Sequence, residues 1–174
     1  MVRVGIVGHR FLGEQKTVEF VAQQCSAVLQ QIKERHTNVI AFSAIAEGAD
    51  MIFAEAALLL NIPFEIVRPF NEYVKDFQTP VTKDRYLNLQ KMAIKETRLP
   101  YNYRSEEAYL KAMQWITGNS DLLIAVWDGV ERGGKAGTSA AVKEAVRTNR
   151  SWIHLDITRK CTTFHLGNKK TILQ

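Results

Sequence analysis

SDLLIAVWDGVERGGKAGTSAAVKEAVRTN, residues 120–149, is the stretch that decides the fold. Asp121 to Trp127 reads as a buried strand, because its apolar run is short and unbroken, as a strand covered on both faces requires. Asp128 and Gly129 open a loop that contains Gly133, Gly134, Lys135, Ala136 and Gly137, and Thr138 or Ser139 then caps a helix. Glycines let the backbone turn tightly and approach a ligand closely. The free amides and positive dipole end of the following helix attract an anion, usually phosphate. The segment is therefore a candidate phosphate cradle, set against the plainer reading of a turn that only joins strand to helix.

Upstream, the same alternation repeats. Val2 to Val7 (VRVGIV) is a β-branched run that ends in Gly8-His9-Arg10. A helix from Gly13 and Glu14 to about His36 follows, with Val18, Val21, Ala22, Cys25, Val28, Leu29 and Ile32 on one face at steps of three and four. Val39 to Ile45 is the second strand and Ala46-Glu47-Gly48-Ala49-Asp50 its turn. A helix runs from about Ala49 to Asn61, and Pro63 stops it before the third strand, Phe64 to Val67. Strand–helix–strand alternation with short connections implies parallel pairing and right-handed crossovers. A further helix starts at the cap Ser105, and Trp152 to Leu155 supplies a fifth strand. The expected fold is an α/β, three-layer Rossmann-like domain with an open parallel sheet of order 3-2-1-4-5.

Two segments depart from this plan. Residues 70–105 mix Tyr73, Phe77, Tyr86, Tyr101 and Tyr103 with charges and read as an irregular excursion, a lid over the mouth of the sheet or an ordinary insertion. A weak apolar face allows a helix over about Thr82 to Thr97. In the tail, Cys161 to Leu166 and Lys169 to Leu173 alternate in polarity around Gly167-Asn168, which predicts a C-terminal β-hairpin.

Composition narrows the function classes. A length of 174 residues suits one domain, 1–174, and 46% hydrophobic with 24% charged residues is ordinary for a globular chain. No apolar run approaches a membrane span and the N-terminus enters a strand at once, so cytoplasm is the expected compartment and no membrane partner is expected. Cys25, Cys161 and the four histidines lack metal-ligand spacing, so no metal and no cofactor is expected. The net charge of +5 is not spread over the body. Arg159, Lys160, Lys169 and Lys170 in the acid-free stretch 157–174 carry four of those charges, which disfavours a nucleic-acid partner. A homo-oligomer is expected, and the hairpin is able either to extend the sheet or to pair with another subunit.

In an open parallel sheet, ligands bind outside the carboxyl ends of the strands where strand order reverses. That rule brings Gly8, His9 and Arg10, then Ser43, Glu47 and Gly48, and then Asp128 with Gly133, Gly134, Lys135, Gly137, Thr138 and Ser139 to one crevice. Arg10, an arginine following a buried strand, calls for an anionic partner. Glu47 and Asp128 are candidates for ribose hydroxyls, and Glu47 alternatively pairs with Arg10. The expected partner is a nucleotide or a nucleotide-derived small molecule.

VGIVGHR, SAIAEGAD and DLLIAVWDG…GGKAGT, in that order over about residues 2–156, resemble the SLOG superfamily of Rossmann-like nucleotide-sensing and nucleotide-processing domains. Its branches include DprA-like proteins and the lonely-guy phosphoribohydrolases once called lysine decarboxylases, and the nucleoside 2-deoxyribosyltransferases are similar. The phosphoribohydrolase motif PGGxGTxxE implies a catalytic glutamate three residues after the threonine, but here that position is Ala141. The glycine loop is also one residue longer, and residues 139–143 are Ser, Ala, Ala, Val and Lys, with Glu144 too far along the helix. N-glycosidic cleavage needs a carboxylate to stabilise or attack the oxocarbenium-like centre. Glu47 and Asp128 are left as the catalytic candidates of an N-ribosyl hydrolase or (deoxy)ribosyltransferase. The expectation is a stand-alone sensor that binds its ligand, ahead of an enzyme, with a nucleic-acid-binding module third.

Overall fold

The computed structural model describes residues 1–131, 136–168 and 172. Seven strands form one sheet: β1 (Val2–Gly8), β2 (Val39–Ser43), β3 (Phe64–Arg68), β4 (Lys95–Arg98), β5 (Leu122–Trp127), β6 (Ser151–Asp156) and β7 (Cys161–His165). Their order is β4-β3-β2-β1-β5-β6-β7, parallel except for the last pair. The helices are α1 (Gln15–Arg35), α2 (Ala49–Leu59), α3 (Pro80–Met92), α4 (Glu106–Asn119) and α5 (Thr138–Arg147).

The apolar strand runs are explained by burial on two faces. Val2, Val4, Ile6, Leu122 and Ile124 join α1 and α2 in one core, while Val7, Leu123 and Ala125 join α4 and α5 in the other. Successive strand side chains point to opposite faces, so a strand between two helical layers must be apolar at every position. Val21, Cys25, Val28, Leu29 and Ile32 of α1 are buried, which is the stripe its spacing predicts.

Three details differ from the sequence expectation. The 3-2-1-4-5 order is present as β3-β2-β1-β5-β6, but β4 extends it at one edge and β7 at the other. The helix that the sequence allows over about Thr82 to Thr97 lies earlier and is shorter: α3 begins at a Thr79–Thr82 capping box with Pro80 in its first turn and ends at Met92. The strand that follows, Lys-Glu-Thr-Arg, has no apolar residue to betray it and pairs Glu65–Arg68 of β3. Charge suits an edge strand, because it blunts pairing with other chains. At the other end, the antiparallel partner of Cys161–His165 is β6, with Trp152 stacked on His165 at 3.9 Å between centroids. Gly167 and Asn168 are tied back to Ser151 and Asn149. Of the predicted second arm, Lys169–Leu173, only Ile172 is among the described residues.

Of the segment 70–105, expected to be a lid or an insertion, the part up to Tyr86 packs into the core, whereas Tyr103 is exposed. Phe70, Tyr73, Phe77 and Tyr86 are all buried, with Phe77 stacked on Tyr86 at 4.5 Å and Tyr73 edge-on to Phe70, Phe77 and Tyr86 at 5.3, 5.4 and 5.7 Å. Such geometry is worth roughly 0.5–1.5 kcal/mol per pair beyond the buried area. The tyrosines hold a 3-10 turn, Tyr73–Asp76, and α3 against the sheet.

Candidate functional site

β1 lies between β2 and β5, so the strand order reverses at the β1–β5 pair, and a cleft of about 890 Å³ opens there. Its walls include Gly8 and Arg10 after β1, Ala46, Glu47 and Asp50 at the start of α2, and Ala136, Gly137 and Thr138 at the start of α5. Tyr73 and Asp76 of the 3-10 turn, Arg104 beside α4, and Tyr109 and Met113 on α4 complete it.

Tight backbone packing forms the floor. The amide of His9 donates to the carbonyl of Val126 at 3.1 Å and its carbonyl accepts from Ala49 at 3.2 Å, locking β1, β5 and α2 together. Gly48, at φ +86°, lies so close to this junction that a Cβ there would sit 2.3 Å from the Arg10 carbonyl oxygen and 2.6 Å from that of His9. Ile45, fully buried, holds φ +45°, a strained value for a β-branched residue. The Ser43 hydroxyl, fully buried, accepts from the Ile45 amide at 2.8 Å and donates to Asp50 Oδ2 at 3.2 Å. Ser43 thus fastens the turn from beneath the cleft.

Asp50 is the second fastening. Its Oδ2 also accepts from the Ala44 amide at 3.2 Å, and burial pushes the carboxyl from its ordinary 3.8 up to about 6 against the pull of Ser43, the Ala46 and Ala44 amides and the Arg10 charge. A carboxyl raised on folding binds its proton more tightly in the native state. Its stabilising effect is full below about pH 4 and is lost as pH rises through 6, a change on the order of 3 kcal/mol. Thermal unfolding of wild type and Asp50→Asn across pH 4–7.5 should show the wild type losing ground steadily to the variant. Parallel curves would contradict this account of Asp50.

A charged cluster walls the other side. Asp76, only 3% exposed, accepts from Arg10 Nη1 at 2.7 Å, lies 3.4 Å from Arg104 Nε, and accepts from the Tyr109 hydroxyl. Both guanidiniums lie over the Tyr109 ring, at 5.1 and 5.9 Å from its centroid. Burial and the hydrogen bond to Asp76 hold the Tyr109 phenol above its usual range. The anionic partner that Arg10 called for is therefore partly supplied from within the chain, by Asp76 and not by Glu47. One Arg10 nitrogen is committed to Asp76, and the side chain is still 32% exposed.

Among the sequence candidates, Gly8, Arg10, Glu47, Gly137 and Thr138 line the cleft. His9 Nε2 lies 3.2 Å from Asp128 Oδ1. Asp128 also caps its own turn by accepting from the Val130 amide at 3.0 Å. Ser139 is half-buried in the first turn of α5. Gly133, Gly134 and Lys135 lie outside the described residues. Asp50, Asp76, Arg104 and Tyr109 were not singled out from the sequence. The one available signal was Asp50, an acid in the first turn of a helix that follows a buried strand. Among the described residues no group of His, Cys, Asp or Glu is placed to hold a metal ion, and no helix is long and apolar enough to cross a membrane.

A mostly parallel sheet covered by helices on both faces, with its cleft at the strand-order switch, makes this a Rossmann-type α/β domain. No protein-family model and no curated protein sequence matches the chain. Solved structures share the fold, among them the following three. DNA processing protein A (DprA) from Streptococcus pneumoniae matches 88% of this chain at TM-score 0.62 and 16% identity. The DprA of Helicobacter pylori, described for its single-stranded DNA binding mode, matches 88% at TM-score 0.60 and 16% identity. The structural-genomics target TM1055 matches 87% at TM-score 0.55 and 12% identity. The chain spans 50% of the first of these chains, 64% of the second and 72% of the third. At these identities the likeness speaks for the fold alone, a Rossmann-type α/β fold as the strand–helix alternation predicts.

Proposed function

We propose that the cleft binds a nucleotide or nucleotide-derived ligand, and that the domain is a sensor relaying its occupancy to a partner or a second copy of the chain. The observation that carries this reading is the cleft itself. Its volume of about 890 Å³ suits a nucleotide-sized ligand, and it opens at the switch point between the free amides at the start of α5 and the Arg10–Arg104 pair. In this reading Arg10 and the α5 amides take phosphate, Gly8 and Gly137 allow close backbone approach, and a cleft carboxylate meets the sugar. Gly133, Gly134 and Lys135 would complete the phosphate cradle. Calorimetric titration with AMP, ADP-ribose and NAD tests it. At least one should bind, and Arg10→Ala should weaken that binding about tenfold or more, the worth of one charge-assisted contact. No binding by any of them would overturn the reading, and an affinity unmoved by Arg10→Ala would remove Arg10 from it.

Two other readings have a specific observation behind them. Glu47 borders the cleft and offers a carboxylate to an N-ribosyl hydrolase or transferase; base released from those nucleotides, and lost in Glu47→Gln, would favour the enzyme over the sensor. The Helicobacter pylori relative is described as binding single-stranded DNA. That likeness gives a nucleic-acid partner more weight than the nearly neutral body of residues 1–156 does alone. Binding of an oligothymidylate with a steep salt dependence would favour it.

A further inference from the structure

Tyr73 carries a polar group that the other described residues leave unused. The residue is 1% exposed and borders the cleft, and its hydroxyl has no hydrogen-bond partner among the described residues. The ring does not swing to find one, because Phe70, Phe77 and Tyr86 hold it edge-on from three directions. A buried hydroxyl without a partner costs free energy, so a native protein that retains one has a use for it. Tyr73 lies within electrostatic reach of Arg10, Asp50, Asp76 and Tyr109, all of them cleft residues.

Asp50 offers the complementary group. Its carboxylate takes Ser43 and the amides of Ala44 and Ala46. A carboxylate has about four lone-pair sites, so capacity for one further donor remains. Together the two side chains favour a ligand group that both donates and accepts. A phosphate is repelled by Asp50, and an apolar ring edge satisfies neither. A hydroxyl satisfies both, donating its one proton to the carboxylate and accepting from the phenol.

We propose that Asp50 and Tyr73 form a sugar-hydroxyl subsite at the floor of the cleft, which makes the ligand a ribonucleotide in preference to its deoxy counterparts. This rests on the nucleotide reading above and goes beyond it in naming the sugar and the residues that select it. Glu47 and Asp128 are relieved of that role. A site built to bond a hydroxyl discriminates strongly against a ligand that lacks it, because its own buried groups are then left unpaired.

The test is calorimetric titration of the full chain with AMP, 2′-deoxy-AMP and 2′,3′-dideoxy-AMP, and with the same series on guanine, for wild type and Tyr73→Phe. The wild type should bind a ribonucleotide about tenfold or more tightly than the dideoxy form. In Tyr73→Phe that gap should shrink while the unliganded variant melts no lower than the wild type, because the substitution removes a hydroxyl that has no hydrogen-bond partner among the described residues. A purely structural tyrosine would give the reverse, a lower melting temperature with the gap intact, and would overturn the subsite. Equal affinity for ribo and dideoxy forms would overturn it too, while leaving the nucleotide reading standing. Failure of every nucleotide to bind overturns both.

Discussion

Gly48→Ala should lower the melting temperature by roughly 6–12 °C, the shift that a loss of about 3 kcal/mol produces in a domain of this size. The cause is local and double. The backbone at Gly48 holds φ +86° and ψ −122°, a region closed to residues with a side chain. The added methyl would also stand 2.3 Å from the Arg10 carbonyl oxygen and 2.6 Å from that of His9. Neither oxygen is free to retreat, because both belong to the segment whose His9 amide and carbonyl tie β1 to β5 and to α2. Relief therefore requires α2 to move away from β1, which opens the floor of the cleft. Ligand affinity should fall together with stability, read by thermal unfolding and titration on one preparation. By contrast, Gly13→Ala tests backbone conformation alone: Gly13 has φ +72° and open space around it, so only a small loss is expected. If the two variants melt alike, crowding at Gly48 is not what joins the strand-end loops.

Asp76→Ala should be the second large loss, about 2–4 kcal/mol, measured by denaturant unfolding. The carboxylate is 3% exposed and receives Arg10, Arg104 and the Tyr109 hydroxyl. Its removal strands a half-buried guanidinium and a phenol without an acceptor. The cost stays below that of breaking a fully buried ion pair, because Arg10 and Arg104 still reach water, at 32% and 67% exposure. Asp76→Asn should lose less, since an amide oxygen still accepts from Tyr109. Double-mutant cycles separate the partners: coupling of Asp76 to Arg10, at 2.7 Å, should exceed its coupling to the more exposed Arg104 at 3.4 Å. Equal couplings would contradict this ranking.

These two residues also mark where sequence reasoning succeeds and stops. The strands that lie between two helical layers, β1, β2, β3, β5 and β6, announce themselves through β-branched apolar runs, and the pairing of those runs with amphipathic helices leads to the Rossmann order. β4 is hidden because an edge strand has no need of apolar residues; Lys95–Arg98 carries charge instead. β7 is legible as a strand, because Cys161–His165 alternates in polarity; its antiparallel partner, β6, is not, and that pairing comes with the stacking of Trp152 on His165 and the tie from Gly167 to Ser151. The aromatic stretch 70–86 reads as a lid because charges are interleaved with its tyrosines. In the folded chain the 3-10 turn and α3 sort the rings inward and the charges outward.

At the cleft, loop positions follow from the fold rule, whereas ion partners do not. Arg10 shows from its place after β1 that it wants an anion. That the anion is Asp76, 66 residues away, is decided by how the 3-10 turn packs on α4. Asp50 sits beside Glu47 in one short motif, and only burial tells the two carboxylates apart: Asp50 is held inside the turn, while Glu47 is half-exposed at the rim.

Backbone amide mapping by NMR of the 19.8 kDa chain, titrated with AMP and with ADP-ribose, tests the central claim most directly. The account predicts that the largest shifts fall on residues 8–10, 46–50 and 136–140, the three strand-end segments that meet at the β1–β5 switch point. Shifts confined to the opposite end of the sheet, around Asp121 and Asn149, or no shifts with any nucleotide, would contradict it.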